Sequence, residues 1–422
     1  MSAHSVKLVK FLAVCQVFHP DPQATGQLFF DLFRRLAHQG HQIKVLCGFP
    51  ATQQRVFKKE YIQRLEIQRC GLKVDFKKNL FLRAVHYFAY VFSASIHLFS
   101  ARNYDFVLGL TNPPFTPVWL WMLSKFCRFR YQLMLLDIYP DGLEALGFCK
   151  NPLYRLWRAL NKRAFHDADK ILVLGRDMKE LLQARYKVSS SKIFYAPHWS
   201  PFQNSQPVSQ PEQSSLWREL YLEDKFVVQY SGNMGLWHDI ETIVRGAELL
   251  QHEPRIHFLM IGDGRRKHQA HRLAQNLNLK NITWVPFQPK EKLVDSLACC
   301  HAALISQNEG LQGVAVPCKL YGILASARPI IALAPSDSEI ARVLKEEQCG
   351  IIVPPHDPKA LASTVYNFFK SYQNFQPMGA KSFTAYRSKY TLEAATENFR
   401  EIWGLTTTGS MPDSYPTQPI SF

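Results

Sequence analysis

A rhythm constrains this chain more than any single motif. Short apolar runs alternate with helix-like stretches, stop at a Pro-rich segment, and then start again. In the first half, residues 6–14, 41–47, 104–110, 131–136 and 168–174 read as strands. A helix is expected over 27–38, stopped by Gly40, and another beginning near Arg176. Residues 200–215, SPFQNSQPVSQPEQSS, hold three prolines and one charge and read as a linker. Beyond it, strands at 226–230, 256–261, 282–285, 302–305 and 330–333 alternate with helices that include 319–326 and about 392–403. Strands separated by helices pair in parallel, and a parallel sheet needs both faces covered. The expected fold class is therefore α/β, with two doubly wound, Rossmann-like domains facing a central cleft. The expected limits are an N-terminal domain at 1–200, the linker at 201–215 and a C-terminal domain at 216–380. A helical segment at 381–405 packs back on the N-terminal domain, and a loosely ordered polar tail follows at 406–422.

The charge divides at the same linker. The 422 residues carry 50 Lys and Arg against 34 Asp and Glu, a formal net charge of +16. Residues 1–200 hold 29 basic and 13 acidic side chains, which is the whole excess; residues 201–422 hold 21 of each. The two halves should meet different partners. The densest basic stretch, 55–83, has nine basic residues against Glu60, Glu66 and Asp75, interleaved with Phe57, Tyr61, Phe76, Phe81 and Leu82. Such a mixture suits an anionic membrane surface, or an ordinary solvated face. A pI near 9.4 also suits nucleic acid, but no nucleic-acid motif accompanies it, and no such partner is expected. Nine cysteines without C-x-x-C spacing point to a reducing cytoplasm. The uncharged stretch 84–101 contains two His and three Ser, and 106–124 is split by Pro113, Pro114 and Pro117, so neither reads as a membrane span. The expected location is cytoplasmic, with peripheral attachment to the inner face of the plasma membrane open.

Chemistry should gather at strand ends. Gly232-Asn233-Met234-Gly235 follows a buried strand and is expected to open a helix, where free N–H groups and the dipole favour phosphate. A tight turn uses the same residues, but the element recurs at Gly262-Asp263-Gly264. Neither the dinucleotide fingerprint nor a Walker sequence is present. In the segment 305–321, Glu309 places a carboxylate in the cleft and Gly310 and Gly313 free the backbone. Pro317 stands near the first turn of a helix, with Lys319 in that turn. A cation there opposes the dipole unless an anionic ligand lies beside it; the other reading has Lys319 in solvent. His238 and Asp239 open the next helix, Asp239 serving equally well as a cap. Asp137 and Asp141, after the strand 131–136, either cap a helix or meet substrate. Trp237 either covers the cleft or packs.

These segments, together with His19-Pro20-Asp21, Ala24-Thr25-Gly26, Gly40-His41-Gln42-Ile43-Lys44-Val45, Thr111-Asn112-Pro113-Pro114, Asp137-Ile138-Tyr139-Pro140 and the run from Val316 through Ala332, resemble glycosyltransferase family 4. Within it the chain is similar to bacterial enzymes of surface polysaccharide assembly, including the colanic-acid type, over about residues 6–404. The resemblance implies a GT-B fold, a nucleotide diphosphate sugar donor in the C-terminal domain, and an acceptor in the N-terminal domain, either a glycan or a polyprenyl-diphosphate-linked sugar. It implies transfer with retained configuration, no metal and no cofactor. Carried onto this sequence, the catalytic candidates are Asp137, Glu309 and Lys319. The substrate-binding candidates are Gly26, Asn112, Gly232, Asn233, Met234, Gly235, His238, Gly262, Asp263, Gly310, Val316 and Pro317. The sequence departs from the pattern in three places. Gly322 stands where the second family glutamate holds ribose, Leu236-Trp237-His238-Asp239 replaces the usual basic residue after the glycine loop, and Leu136 replaces a histidine before Asp137. A GT-B sugar-nucleotide epimerase is the alternative enzyme, and it would leave the basic half unexplained.

Overall fold

The computed structural model describes residues 8–405, except 22, 51–55, 74–79, 149–150, 201, 203–206 and 209, and omits the side chains of 80–84. The expected tail at 406–422, the first residues of the opening strand, part of the linker and much of the basic stretch 55–83 lie outside the described residues. Two sheets form. The first contains β1 (Lys10–Val14), β2 (Gln42–Cys47), β3 (Lys59–Ile62), β4 (Leu65–Arg69), β5 (Phe106–Leu110), β6 (Tyr131–Leu135), β7 (Lys170–Val173) and β8 (Ile193–Tyr195), in the order β3-β4-β2-β1-β5-β6-β7-β8. All neighbours are parallel except β3 with β4. At its centre, Ala13 faces Val45 on one side and Leu108 on the other.

The second sheet contains β9 (Phe226–Ser231), β10 (Ile256–Ile261), β11 (Ile282–Val285), β12 (Ala302–Ser306), β13 (Ile330–Leu333) and β14 (Gly350–Val353), in the order β11-β10-β9-β12-β13-β14. Counted from β9 this is 3-2-1-4-5-6, the doubly wound dinucleotide-fold order. Each sheet reverses direction at one point, between β1 and β5 and between β9 and β12, and loops leaving such a point splay apart to leave a crevice.

The edge pair β3–β4 and the long helix Leu80–Leu98 were not expected. In β3 exposed and partly buried residues alternate, none is fully buried, and two of four are charged, so no apolar run announces it. Edge strands carry such charge because it discourages further pairing.

The chain closes by returning to its start. Leu392–Trp403, capped by Thr391 at one end and by Gly404 in the left-handed region at the other, packs on the helix Ala24–His38. Trp403 lies against Phe11 and Phe106, with ring centroids 5.1 and 5.3 Å away, and its Nε1 donates to Gln132 Oε1 at 2.9 Å.

A polar clamp also joins the domains. Buried Glu339 accepts from Arg176 N at 2.8 Å and Tyr195 Oη at 2.9 Å, while Asp177 accepts from the N–H groups of Gly313 and Glu339 at 2.9 and 3.0 Å. Charge-assisted bonds of this kind hold best where water is excluded.

Candidate active site

Both crevices open onto one cleft. The Asp137 backbone makes an antiparallel bridge with Ala315, and Ile138 N donates to Val314 O at 2.9 Å, so the loop after β6 is pinned to the loop after β12. Trp237 reaches across to Tyr139, 5.8 Å between centroids, and sits where a side chain at Gly142 would be. It packs between domains.

The glycine loop after β9 is held by its twin after β10. Gly232 N donates to Ile261 O and Met234 N to Asp263 O, at 2.9 and 2.8 Å. A Cβ on Gly262 would lie 2.1 Å from Gly232 O, so only glycine, at φ 130°, lets the two turns stack. This changes the expected phosphate site. The N–H groups of Gly232 and Met234 are already bonded, and the Met234 side chain is in the core. Among the described residues, the N–H groups of Asn233 and Gly235 have no protein partner. Nor does the loop open a helix. The helix begins at Ile240, and the Asp239 carboxylate caps it through Thr242 N at 3.1 Å and accepts from His356 N at 2.9 Å. Asp263 is exposed and accepts from Gly264 N, and Gly262 is buried beneath it.

Lys319 lies beside this loop. It is the first residue of Lys319–Ala325, so Pro317 precedes the helix and is not in its first turn. Gly232 leaves room for it: a Cβ there would touch Lys319 Cε at 3.4 Å. The half-buried Lys319 amine donates to Tyr230 Oη and lies 4.0 Å from that ring's centroid. No carboxylate pairs with it among the described residues, and burial pushes its pKa down to about 7. His238 is drawn into the same place. Its Nδ1 lies 2.6 Å from Ser306 O, a carbonyl that can only accept, so Nδ1 carries the proton and Nε2 is an acceptor. Burial first, and Lys319 second, push the His238 pKa to about 3, so the ring is neutral.

The loop after β12 is braced from beneath. Gln307 Nε2 donates to Leu311 O and Ala315 O, and Asn308 Nδ2 to Leu236 O, all within 3.1 Å. Glu309 and Gly310 stand exposed at its tip, Gly310 facing Ala145 of the N-terminal domain. Val316 turns into the N-terminal core. Tyr230, Ser306, Gln307 and Asn308 were missed by sequence reasoning. For Ser306, Gln307 and Asn308 the only signal was a polar run at the end of an apolar strand; Tyr230 lies within β9 and gave none.

On the N-terminal side, Asp137 N donates to Thr111 Oγ1 at 3.3 Å. Burial alone raises the carboxyl to about 7, and among the described residues nothing bonds to it. Asn112 lies in the loop after β5 beside Gln16, and its carbonyl accepts the Gln16 N–H at 2.8 Å. Gly26 is explained by packing: a Cβ there would lie 3.0 Å from Phe18 Cα. Asp141 neither caps nor faces the cleft; it is buried and holds Arg185 at 2.7 Å and the Tyr186 hydroxyl. His19 stacks on Phe30 at 4.1 Å between centroids, and its pKa is lowered to about 4 by burial first, with smaller contributions from Arg69, Lys290 and Arg34. Gly322, in place of the family glutamate, faces Leu297 and Phe202, an apolar wall. The carboxylate spacing Asp167-Ala168-Asp169 precedes β7 at the far end of the sheet, where it pairs with Lys125 and Arg130.

Two parallel sheets with facing switch points, an N-terminal domain closed by the last helix, and a cation at the second sheet's glycine loop define a GT-B glycosyltransferase. The family models agree: residues 25–199 match the glycosyl transferase 4-like domain and 214–381 match glycosyl transferases group 1, and the chain belongs to this family. It is 30% identical to "Probable glycosyltransferase WbjE" of Pseudomonas aeruginosa, over 68% of this chain and 72% of that one. It is 24% identical to "Putative colanic acid biosynthesis glycosyl transferase WcaI" of Escherichia coli (strain K12), over 82% and 89%. Among solved structures, Anabaena HepE in complex with UDP-glucose shares the fold, with a TM-score of 0.69 at 11% identity, over 94% of this chain and 99% of that one.

Proposed function

We propose that this chain transfers a sugar from a nucleotide diphosphate sugar, with retention, to a glycan or a lipid-diphosphate-linked acceptor in surface polysaccharide biosynthesis. The observation that carries this reading is the half-buried Lys319 amine, without a carboxylate partner among the described residues, beside two unbonded backbone N–H groups at the switch point of the second sheet. A diphosphate there would restore the lysine's charge and accept from Asn233 and Gly235, needing no metal ion. Gln307 and Asn308 would hold Glu309 toward the donor sugar. The acceptor hydroxyl oxygen would bond to the anomeric carbon on the face from which the diphosphate leaves. The carbon–oxygen bond to the diphosphate breaks, its electron pair departs with the diphosphate, and Asp137 takes the hydroxyl proton. The basic N-terminal half suits an anionic acceptor such as a lipid-linked diphosphate. The UDP-glucose complex of HepE and the colanic-acid relative support the donor class and the pathway type. These features suit a cytoplasmic enzyme working at the inner membrane face. The test is incubation with a panel of nucleotide sugars and a polyprenyl-diphosphate-linked sugar. Transfer from at least one donor is expected; neither transfer nor slow donor hydrolysis across the panel would overturn the reading.

A further inference from the structure

Three helices lie side by side on one face of the N-terminal sheet. Leu80–Leu98 leads into β5, Thr116–Cys127 joins β5 to β6, and Pro152–Asp167 precedes β7. Successive right-handed crossovers in one direction put them on the same face. Contacts confirm the order: Trp119 Nε1 donates to Ser95 Oγ at 3.0 Å, and Trp121 Nε1 to Asp167 Oδ2 at 2.7 Å.

The inner side of the first helix is ordinary core. Tyr90, Ala94 and Leu98 are buried, and Tyr90 Oη donates to Leu46 O at 2.9 Å. The outer side is not ordinary. Phe88, Phe92 and Ile96 recur every fourth residue and are 73%, 74% and 58% exposed. Exposed Phe99 continues the stripe, Met122 and Phe126 extend it on the second helix, and Leu153 and Leu156 on the third. No charged residue stands between 84 and 101. A helix bordering water normally carries its charges on that side, and a joined apolar face marks an interaction surface.

The surroundings select the partner. Arg102, Arg128, Arg155, Lys162 and Arg163 are exposed on these helices and their ends, within the half of the chain that holds the whole net charge of +16. Nearby acids are engaged: Asp105 accepts from Lys10 N, Asp167 pairs with Lys125 and Asp169 with Arg130. A second copy of the chain would bring two basic faces together. Among the described residues no helix is long and apolar enough to cross a membrane. The face also reaches the cleft. His86 stands near Gly48 at the end of β2, the second helix starts just after Asn112, and Trp157 of the third stacks 6.1 Å from Tyr139.

We propose that this face seats the chain on an anionic lipid bilayer. Phe88, Phe92, Ile96, Phe99, Met122 and Phe126 enter the boundary between headgroups and acyl chains, and the surrounding arginines and lysines meet lipid phosphates. The cleft then opens at the membrane surface, where a lipid-linked acceptor presents its diphosphate. The inference deepens the proposed function and rests on it only for the reason a bilayer is needed; the contact itself requires no catalysis.

The test is co-sedimentation of the full chain, without donor or acceptor, with vesicles of phosphatidylcholine alone or mixed with phosphatidylglycerol. The wild type is expected to sediment with the mixed vesicles, less so at high salt. F88S/F92S/I96S is expected to lower the partition coefficient by about tenfold or more, because binding scales with buried apolar area. Its circular dichroism should match the wild type, since all three side chains are exposed. A Phe92→Trp variant supplies a reading that needs no loss: brominated phosphatidylglycerol should quench it more than the wild type. Wild type remaining in the supernatant, equal sedimentation of wild type and triple variant, or a self-association that the triple variant abolishes without vesicle binding would each overturn the proposal. Vesicle binding with neither transfer nor donor hydrolysis across the panel would overturn the proposed function and leave this inference standing.

Discussion

At the N-terminal edge of the cleft the chain holds a half-buried carboxylate, Asp137, and no cation bonds to it among the described residues; at the C-terminal edge it holds a half-buried amine, Lys319, and no carboxylate does. Desolvation pushes the first up and the second down, and both arrive near 7. Other buried charges are paired, Asp141 with Arg185 within the N-terminal domain and Glu339 with Arg176 across the domain boundary. Charges left unsatisfied on opposite walls are poised for something outside the protein: a proton to accept on one side, an anion to hold on the other. The same contrast marks the outer surfaces. The N-terminal domain carries all the net charge and an exposed apolar stripe, while the C-terminal half is balanced.

The largest expected effect falls on the N-terminal wall. Asp137→Asn should lower kcat by about 10²- to 10⁴-fold, the usual range for a proton acceptor, with donor binding by calorimetry unchanged. It should also raise Tm above pH 7. The folded carboxyl binds its proton more tightly than the unfolded one, so between about 4 and 7 rising pH strips the unfolded chain first, and above 7 the folded state carries a buried charge that Asn lacks. An equal loss in donor affinity would remove the distinction between the walls.

Lys319→Ala should weaken nucleoside diphosphate binding by about 10- to 100-fold, the range for a hydrogen bond to a charged group, and leave nucleoside binding alone. The wild-type profile of kcat/KM against pH should be bell-shaped about 7. It rises as Asp137 loses its proton and falls as Lys319 loses its own. In kcat the alkaline limb should move higher, because bound diphosphate favours the charged amine. A profile flat from pH 6 to 8 would count against both assignments.

The smallest effect tests what holds the walls in register. Glu339→Gln should cost about 1–3 kcal/mol of stability, as buried donors on Arg176 and Tyr195 lose a charged acceptor, and calorimetry should show a lower Tm with chemistry retained. An unchanged Tm would show that Leu392–Trp403 and the loop bridges suffice to hold the domains.

The glycine turns and the loop bearing Glu309 could be located in the sequence because they follow predominantly apolar strands, and the break between 200 and 215 showed where one βαβ series ends. Other features were hidden. β3 alternates charge and so resembles a loop, and the helix Leu80–Leu98 resembled a membrane-span candidate because its outer side lacks the charges that reveal a surface helix. The glycine loop suggested a helix N-terminus, but four residues, ending in the Asp239 cap, intervene before the helix begins.

By itself the sequence determined the two parallel sheets, the order of their loops and the uneven charge, because period and composition act locally along the chain. Tertiary structure alone decided which backbone N–H groups stay unbonded, that the loop bearing Asp137 is bridged to the loop that leads to Lys319, and that Phe88, Phe92 and Ile96 face outward. Those outcomes depend on which surfaces exclude water together, and solvent exclusion is a property of packed elements that no single segment carries.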